Sequence, residues 1–264
     1  MMVYHYMTSE AFAKSVSEGG IWIKASHPSE FNDPFECTGG VWGVPSDDFA
    51  REFYESRPDL KACGMFYNNP QEYVRDWFWH AFADRNFLGQ GYRISCFVNA
   101  GAMMKYPGQD MRMWAHYAEY GKGVRLTFDS DFSPFNYEKV EYDLSAPILD
   151  LSLVENIDGL SDFIEKCIHT KQKSWEPEQE LRVIFRGPSE KVVFCDECKI
   201  YRWLMPINAL REVAVGENSI RQECPTKNCA FEAVRCANAI GQQARTCVAV
   251  RDFNHYNFSY QSIS

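Results

Sequence analysis

The stretch Glu178–Arg186 has the sequence EQELRVIFR and decides the fold class. Apolar and polar residues alternate along it, which is the pattern of a β-strand that presents one face to the core. The apolar face is formed by Leu181, Val183 and Phe185, and the opposite face by Glu178, Glu180, Arg182 and Ile184. Strands with one half-exposed face are typical of antiparallel sheets, so the stretch predicts a sheet of that kind.

Strands and helices are mixed along the rest of the chain. The main further strands are predicted at Val3–Tyr6, Ile21–Ala25, Arg93–Val98, Gly123–Asp129 and Lys139–Tyr142. Helices are predicted from Ser9 to Gly19, from Ser46, from Asn69, and over Asp110–Tyr120, Asp158–Lys171 and Thr226–Ile240. Because there is no strict βαβ rhythm, we predict an α+β fold with a mixed, largely antiparallel split sheet and flanking helices.

The composition indicates a folded protein and excludes several classes. The chain has 264 residues, of which 45% are hydrophobic and 15% aromatic, so it is too rich in core material to be disordered. Its net charge of −9 argues against broad binding to a nucleic-acid backbone. No stretch approaches the about 20 apolar residues of a membrane-spanning helix. The opening residues MMVYHYMTSE lack the features of a signal peptide, so we expect a cytoplasmic protein.

The chain shows no repeats and no linker, so a single domain over residues 1–264 is the simplest expectation. Ten cysteines in a reducing compartment should be free thiols or metal ligands. Two pairs have the spacing of metal knuckles and would suit structural zinc: Cys195-x2-Cys198 and Cys224-x4-Cys229. However, Cys195 is predicted in a strand, and Cys229 and Cys236 on one face of a helix. We therefore favour packing thiols over zinc, which is kept as an alternative.

The polar face of EQELRVIFR has the clearest chemical potential. Glu178 and Glu180 are two residues apart, and repulsion between them should raise the pKa of one carboxyl unless Arg182 compensates. Such a pair can accept a proton or stabilise a developing cation. The alternative is an exposed strand face with a ladder of salt bridges.

Other polar residues have both a structural and a functional interpretation. His5 on the first strand either faces solvent or contacts a ligand that lies across the sheet. His116 shares a helix face with Tyr120, but a single histidine is more often structural. Asn32 and Asp33 precede Pro34, so they either form a capped turn or contact a substrate.

Four motifs in this order resemble a bacterial family known as domain of unknown function 2971. They are Asn32-Asp33-Pro34-Phe35-Glu36, Trp114-x-His116-Tyr117, Gly123-Val124 and Trp175-x-x-Glu178-x-Glu180-x-Arg182. The resemblance covers a core of about residues 3–216. The Cys-rich segment 217–264 departs from the family and is expected to pack on this core.

The arrangement also resembles, more weakly, the ADP-ribosyltransferase superfamily, which implies NAD as a substrate. By that resemblance His5 would hold the nicotinamide ribose or amide, and Ser95 would be the residue of the middle motif. Glu180 would be the catalytic glutamate, and Glu178 would orient the acceptor. Cleavage of the ribose–nicotinamide bond passes through an oxocarbenium-like state that a carboxylate stabilises.

The resemblance and the residues together give the expected function. We expect an ADP-ribosyltransferase-like enzyme that uses NAD or another nucleotide, cleaves an N-glycosidic bond, and acts in bacterial stress or phage defence. The expected nucleotide-binding residues are Tyr4, Tyr6, Asn32, Asp33, Ser95, His116, Tyr117 and Arg182. The alternatives are a non-catalytic binding module for a small molecule or protein, and a zinc-stabilised interaction protein.

Overall fold

A computed structural model describes most of the chain. The described residues are 1–33, 35–57, 69–83, 91–103, 105–106, 108–155, 159–187, 189–218, 226–239, 241–252 and 257–263. They form two compact units. Unit 1 comprises Met1–Ser26, Arg93–Lys139 and Glu176–Ser264, and unit 2 comprises His27–Tyr92 and Val140–Trp175. No helix among the described residues has the length and apolar character needed to cross a membrane.

The regular elements are numbered here in chain order. The strands are β1 (Met2–Met7), β2 (Val16–Ser17), β3 (Gly20–Lys24), β4 (Gly40–Trp42), β5 (Tyr92–Asn99), β6 (Val124–Asp129), β7 (Glu138–Lys139), β8 (Glu141–Asp143), β9 (Ile148–Asp150), β10 (Thr170–Gln172), β11 (Glu180–Arg186), β12 (Val193–Cys195), β13 (Ile200–Pro206), β14 (Leu210–Gly216), β15 (Arg245–Asp252) and β16 (Asn257–Ser262). The α-helices are α1 (Ser9–Ser15), α2 (Asp47–Glu55), α3 (Pro70–Ala83), α4 (Ala100–Met103), α5 (Gln109–Tyr117), α6 (Gly159–His169) and α7 (Thr226–Ala239). Short 3₁₀ turns cover Pro28–Glu30, Ser130–Phe132, Leu151–Leu153, Lys173–Glu178 and Ile207–Ala209.

An eight-stranded sheet forms the centre of unit 1. Its strand order is β16-β15-β14-β6-β1-β5-β11-β7. The pairings of β1 with β5 and β6, of β6 with β14, of β15 with β16 and of β11 with β7 are antiparallel, whereas β14 and β15 are parallel. The prediction of a mixed α+β protein with a large, mostly antiparallel sheet is confirmed.

One face of this sheet, called here the core face, is covered by a second sheet. The second sheet has the order β12-β13-β3-β2, and α7 packs nearby on β14. Leu126 and Val183 of the large sheet share one apolar cluster with Ile23 and Trp203 of the small sheet. Burial of these side chains drives the packing of the two layers, because each fully buried large apolar side chain contributes about 1.5–3 kcal/mol.

The opposite face of the large sheet, called here the helix face, carries a separate cluster. Tyr6 and Val98 of the sheet pack there with Met103 of α4 and Trp114 of α5. Since successive side chains of a strand point to opposite faces, the alternation in β1, β5, β6 and β11 decides which residues reach this second cluster.

Unit 2 has an aromatic core of its own. Phe53 of α2, Phe78 of α3 and Phe163 of α6 belong to one buried cluster. Two short parallel ladders, β4 with β9 and β8 with β10, complete the unit. Helix α2 begins where the sequence predicts it, because the Ser46 hydroxyl accepts a hydrogen bond from the Phe49 N–H and caps the helix.

The bounds of several predicted elements differ, and three of these differences have a clear structural reason. Helix α1 ends at Ser15 instead of Gly19, because the chain continues into the hairpin of β2 and β3. The strand predicted over Lys139–Tyr142 is two strands, β7 and β8, which pair with β11 and β10 respectively. The strand of the opening motif begins at Glu180 and not at Glu178.

Candidate functional site

A tight turn separates the two carboxylates that the sequence places on one strand. The Gln179 backbone has a left-handed φ of 49° and its N–H donates to the Glu176 carbonyl, so the chain turns before β11 begins. The Gln179 carbonyl accepts from the Asn99 N–H at the end of β5. The prediction that Glu178 shares a strand face with Glu180 is therefore corrected, since Glu178 ends a 3₁₀ turn.

Glu178 is held by the last residue of α5. The Tyr117 hydroxyl donates a 2.9 Å hydrogen bond to Oε1 of Glu178. The Glu178 carboxylate is 5% exposed, and Tyr117 packs half-buried against the cluster on the helix face. A buried carboxylate requires such donors, because burial without them is costly.

Glu180 is held by its neighbour on the same strand face. Arg182 Nε donates to Oε1 of Glu180 at 2.7 Å, with the arginine 0% and the glutamate 5% exposed. This is the compensating charge that the spacing predicts. The alternative of an exposed salt-bridge ladder does not fit, because both side chains are buried. Leu181 and Val183 point to the core face, so alternation directs Glu180 and Arg182 to the helix face.

A second charged cluster on the helix face surrounds Arg125 of β6. Its guanidinium carbon lies 4.2 Å from the ring centre of Tyr4 and 3.8 Å from that of Tyr260. Its nitrogens pair with Glu212 at 2.8 Å and with Asp110 at 3.6 Å. A buried arginine is retained by such a combination of carboxylates and aromatic faces.

Aromatic hydroxyls complete the Arg125 cluster. The Tyr6 hydroxyl donates to Asp110 at 2.6 Å, the Tyr260 hydroxyl also donates to Asp110, and Trp114 Nε1 donates to the Tyr260 hydroxyl at 3.0 Å. Burial, followed by the charge of Asp110, raises the pKa of Tyr6 well above its usual value. Tyr6 therefore remains a hydrogen-bond donor at neutral pH.

Charge balance keeps the cluster ionised. Burial works against ionisation of Glu212, yet the guanidinium groups of Arg125 and Arg245 hold its pKa below the usual range. Burial likewise works against the Arg125 charge, but the neighbouring Tyr260, Tyr6 and Asp110 raise its pKa well above the ordinary value. Tyr4 and Tyr6 are thus engaged in the protein's own network, which weakens their predicted role in stacking on a nucleotide.

His5 and Ser95 point to the other face of the sheet. His5 Nδ1–H donates to the Cys96 carbonyl at 2.9 Å, and its ring lies 5.1 Å from that of Phe97. Burial lowers the pKa of His5, so the imidazole is neutral. The Ser95 hydroxyl lies between the two sheets. The expectation that these residues converge with Glu180 is corrected, because side chains alternate between the faces of β1 and β5.

The predicted loop residues of unit 2 form their own arrangement. Asn32 is exposed, whereas Asp33 is buried and its Oδ1 accepts a 2.9 Å hydrogen bond from the Phe35 N–H. Buried Glu36 pairs with the buried Lys171 at 3.5 Å, and Lys171 Nζ lies 5.1 Å from the ring centre of Trp175. Asp33 therefore caps a turn, which is one of the two roles that the sequence leaves open. The Glu36–Lys171 pair could not be predicted from the sequence.

The remaining predicted residues are an exposed histidine and the tail cysteines. His116 is exposed on α5, with its ring 6.1 Å from that of Tyr117. Cys195 ends β12, Cys198 lies within the turn that follows, and Cys229 packs half-buried against the core of unit 1. Cys224 lies outside the described residues, so a four-thiolate site stays a prediction.

The Arg125 cluster is the feature that sequence reasoning missed. Its members come from β1, α5, β6, β14 and β16, so only long-range strand pairing brings them together. The sequence around Arg125 carries no local signal for this burial. Arg125 occupies a position in the alternating strand VRLTFD whose neighbouring strands, β1 and β14, bury it on both sides.

Comparison with known proteins gives no match: no family model matches the sequence, and neither a curated protein nor a solved structure matches it. The functional argument therefore depends on the geometry of the site.

Proposed function

We propose that the protein is an ADP-ribosyltransferase-like enzyme that uses NAD or a related nucleotide and cleaves its N-glycosidic bond. One observation carries the proposal. Glu178 and Glu180 are two residues apart in the chain, each is 5% exposed, and each is oriented by a separate donor, Tyr117 or Arg182. Buried, oriented carboxylates are the groups that glycosidic bond cleavage uses.

Glu180 is the catalytic residue in this proposal. As the bond between ribose and nicotinamide lengthens, positive charge builds on the sugar, and an ionised carboxylate beside it stabilises that charge. The hydrogen bond from Arg182 Nε fixes the carboxylate, so little reorganisation is needed during the reaction.

Glu178 and its donor complete the proposed site. Glu178 would orient the acceptor, which is water or a second substrate. The half-buried ring of Tyr117 takes over the stacking role that the sequence assigns also to Tyr4 and Tyr6, because those two rings are committed to Arg125 and Asp110. Exposed His116 extends this surface. A role in bacterial stress or phage defence remains part of the proposal.

Nicotinamide release from NAD by the purified full chain tests the proposal. We expect release by the wild type and a loss of about 10²–10³-fold for Glu180→Gln, which is the size of effect that a transition-state group has. Glu10→Gln is the matched control, because Glu10 is an exposed glutamate on α1 paired with Lys14. Thermal unfolding of each variant separates loss of chemistry from loss of fold.

Two results would contradict the proposal. Turnover by Glu180→Gln at the wild-type rate would remove Glu180 as the catalytic residue. Nucleotide binding, measured by calorimetry, with no nicotinamide or ADP-ribose released by the wild type would decide against the enzyme and favour a binding module.

A further inference from the structure

A pair of cysteines lies at the end of the hairpin between β12 and β13. Cys195 is the last residue of β12 and pairs with Ile200, the first residue of β13. The chain turns over residues 196–199, and Lys199 has a left-handed φ of 55°. Cys198 lies within the turn, so the two thiols are three residues apart across a tight reversal. Both are free thiols, and Cys195 is buried whereas Cys198 is half-buried.

The tight turn brings the two cysteines close together. Residues three apart across a β-turn lie within about 7 Å of each other, and Cys195 and Cys198 have this spacing. A disulfide needs Cα atoms within about 7 Å, a separation that residues across a tight turn satisfy.

The surroundings of the two sulfurs shift the pKa values of the two thiols in opposite directions. The backbone N–H of Cys198 lowers the pKa of Cys195, with a further contribution from the charge of Arg202. The neighbouring Cys195 side chain raises the pKa of Cys198, with Glu197 adding to this effect and Lys14 opposing it. Cys195 is therefore the better nucleophile at neutral pH, because the thiolate is the reactive form.

The other interpretations of this pair are weaker. Within the part of the chain that the structure describes, no third cysteine, histidine or carboxylate forms a compact group of potential metal ligands with Cys195 and Cys198. Two other buried thiols have pKa values that are shifted in the opposite direction from that of Cys195. Burial raises the pKa of Cys167 and of Cys247 to about 12, which makes those thiols inert.

We propose that Cys195 and Cys198 are a redox-active dithiol that closes to a disulfide by exchange with a small-molecule disulfide. The Cys195 thiolate attacks one sulfur of the small disulfide, whose S–S bond breaks and releases one thiolate. The Cys198 thiolate then attacks Cys195 Sγ in the mixed disulfide and releases the second thiolate. The protein dithiol loses two electrons, the small disulfide gains them, and the two cysteine protons end on the two released thiols.

The pair has a role separate from glycosidic bond cleavage. Cys195 and Cys198 belong to the small sheet, which covers the core face, whereas Glu180 points to the helix face. The test below consequently measures disulfide chemistry alone and does not depend on NAD turnover.

Oxidation of the reduced full chain with glutathione disulfide tests the proposal. After alkylation with iodoacetamide and digestion, mass spectrometry should show that the peptide with Cys195 and Cys198 carries no alkyl group. Its mass should match an internal disulfide between the two cysteines. Cys198→Ser should stop at a glutathione adduct on Cys195. Cys229→Ser is the matched control, because that half-buried thiol lies on α7, and it should leave the link intact.

Two outcomes of this experiment would overturn the proposal of a redox-active dithiol. The proposal is overturned if both sulfurs remain fully alkylated after oxidation at a ratio of glutathione disulfide to glutathione that oxidises a free dithiol. It is also overturned if Cys198→Ser carries its adduct mainly on cysteines other than Cys195.

Discussion

The indole N–H of Trp203 donates a 2.9 Å hydrogen bond to the Ser95 hydroxyl, which in turn donates to the Lys24 carbonyl at 2.6 Å. Trp203 and Lys24 belong to the small sheet, and Ser95 belongs to the large one. A single hydroxyl thus joins the two layers of unit 1. The role that the ADP-ribosyltransferase resemblance implies for Ser95 is replaced by a structural one.

Replacing Ser95 with alanine should lower the free energy of unfolding by about 1–3 kcal/mol, because the buried indole N–H of Trp203 loses its acceptor. Urea unfolding followed by tryptophan fluorescence measures the change. Ser259→Ala is the control, because its exposed hydroxyl makes only a long 3.4 Å bond. Equal stability of the two variants would contradict the role of Ser95.

Removal of the Arg125 side chain should be much more costly. In Arg125→Leu the Asp110 carboxylate stays buried without its cation, and Glu212 keeps only Arg245. Breaking a buried ion pair in this way costs about 3–5 kcal/mol. Arg125→Lys should lower the free energy of unfolding by an intermediate amount. Lysine keeps the positive charge but lacks the planar guanidinium group that lies against Tyr4 and Tyr260.

The control for Arg125 is an exposed ion pair. Arg235 pairs with Glu232 on the surface of α7. Arg235→Leu should change the free energy of unfolding by less than about 1 kcal/mol. If the Arg125 and Arg235 variants unfold at the same urea concentration, the Arg125 cluster does not stabilise the fold.

His5 should make the stability depend on pH. Burial lowers its pKa below 6.5, so the unfolded state binds a proton at a higher pH than the native state does. The unfolded state therefore holds more protons between the two pKa values, and the free energy of unfolding falls as the pH drops below 6.5. Above that pH the contribution is fully present.

The comparison of wild type with His5→Asn isolates this effect. Asparagine can donate to the Cys96 carbonyl but does not titrate, so its stability should decrease less over the range from about pH 8 to 5. Urea unfolding at several pH values measures the difference. Parallel curves for the two proteins would show that His5 takes up no proton on unfolding in this range.

The buried thiols should resist alkylation. With a pKa of about 12, Cys167 and Cys247 are almost entirely protonated at neutral pH. In a time course with iodoacetamide followed by mass spectrometry, both should react last, and urea should remove the difference. Early alkylation of either one in the native protein would contradict the burial described here.

The Tyr117 hydroxyl should matter for turnover. Tyr117→Phe keeps the ring and removes the donor to Glu178, and a hydrogen bond to a charged group is worth about 1.5–3 kcal/mol. We therefore expect about 10–100-fold slower nicotinamide release with little change in thermal stability. Tyr201→Phe, on the exposed end of β13, is the control and should be as active as the wild type.

Local rules predicted the elements better than the site. Thr8 and Ser46 cap their helices directly before the predicted starts, and the alternation of Val124–Asp129 identifies β6, because these signals depend on neighbours in sequence. The position of Glu178 was predicted wrongly. The alternation extends two residues beyond the strand, and only the left-handed Gln179 and its bond to Glu176 end it.

Long-range contacts could not be derived from one sequence. Alternation along each strand tells which side chains share a face with His5 or with Ser95. Whether that face also carries Glu180 depends on how β1, β5 and β11 are arranged in the sheet, which one sequence does not reveal. The Arg125 cluster likewise depends on β6 lying between β1 and β14. The carboxylate pair was found because both glutamates and their arginine are adjacent in the chain.

The division of the chain into interleaved segments also bears on how the protein folds as it is synthesised. Unit 2 consists of His27–Tyr92 and Val140–Trp175, so all of its residues have been made once residue 175 is joined. The large sheet of unit 1 is completed later in synthesis. Its strand β6 pairs with β14, and β15 and β16 extend the sheet beyond β14. Until then β6 has an open edge that can pair with another chain. Aggregation during expression should therefore be governed by the interval between the synthesis of β6 and that of β14.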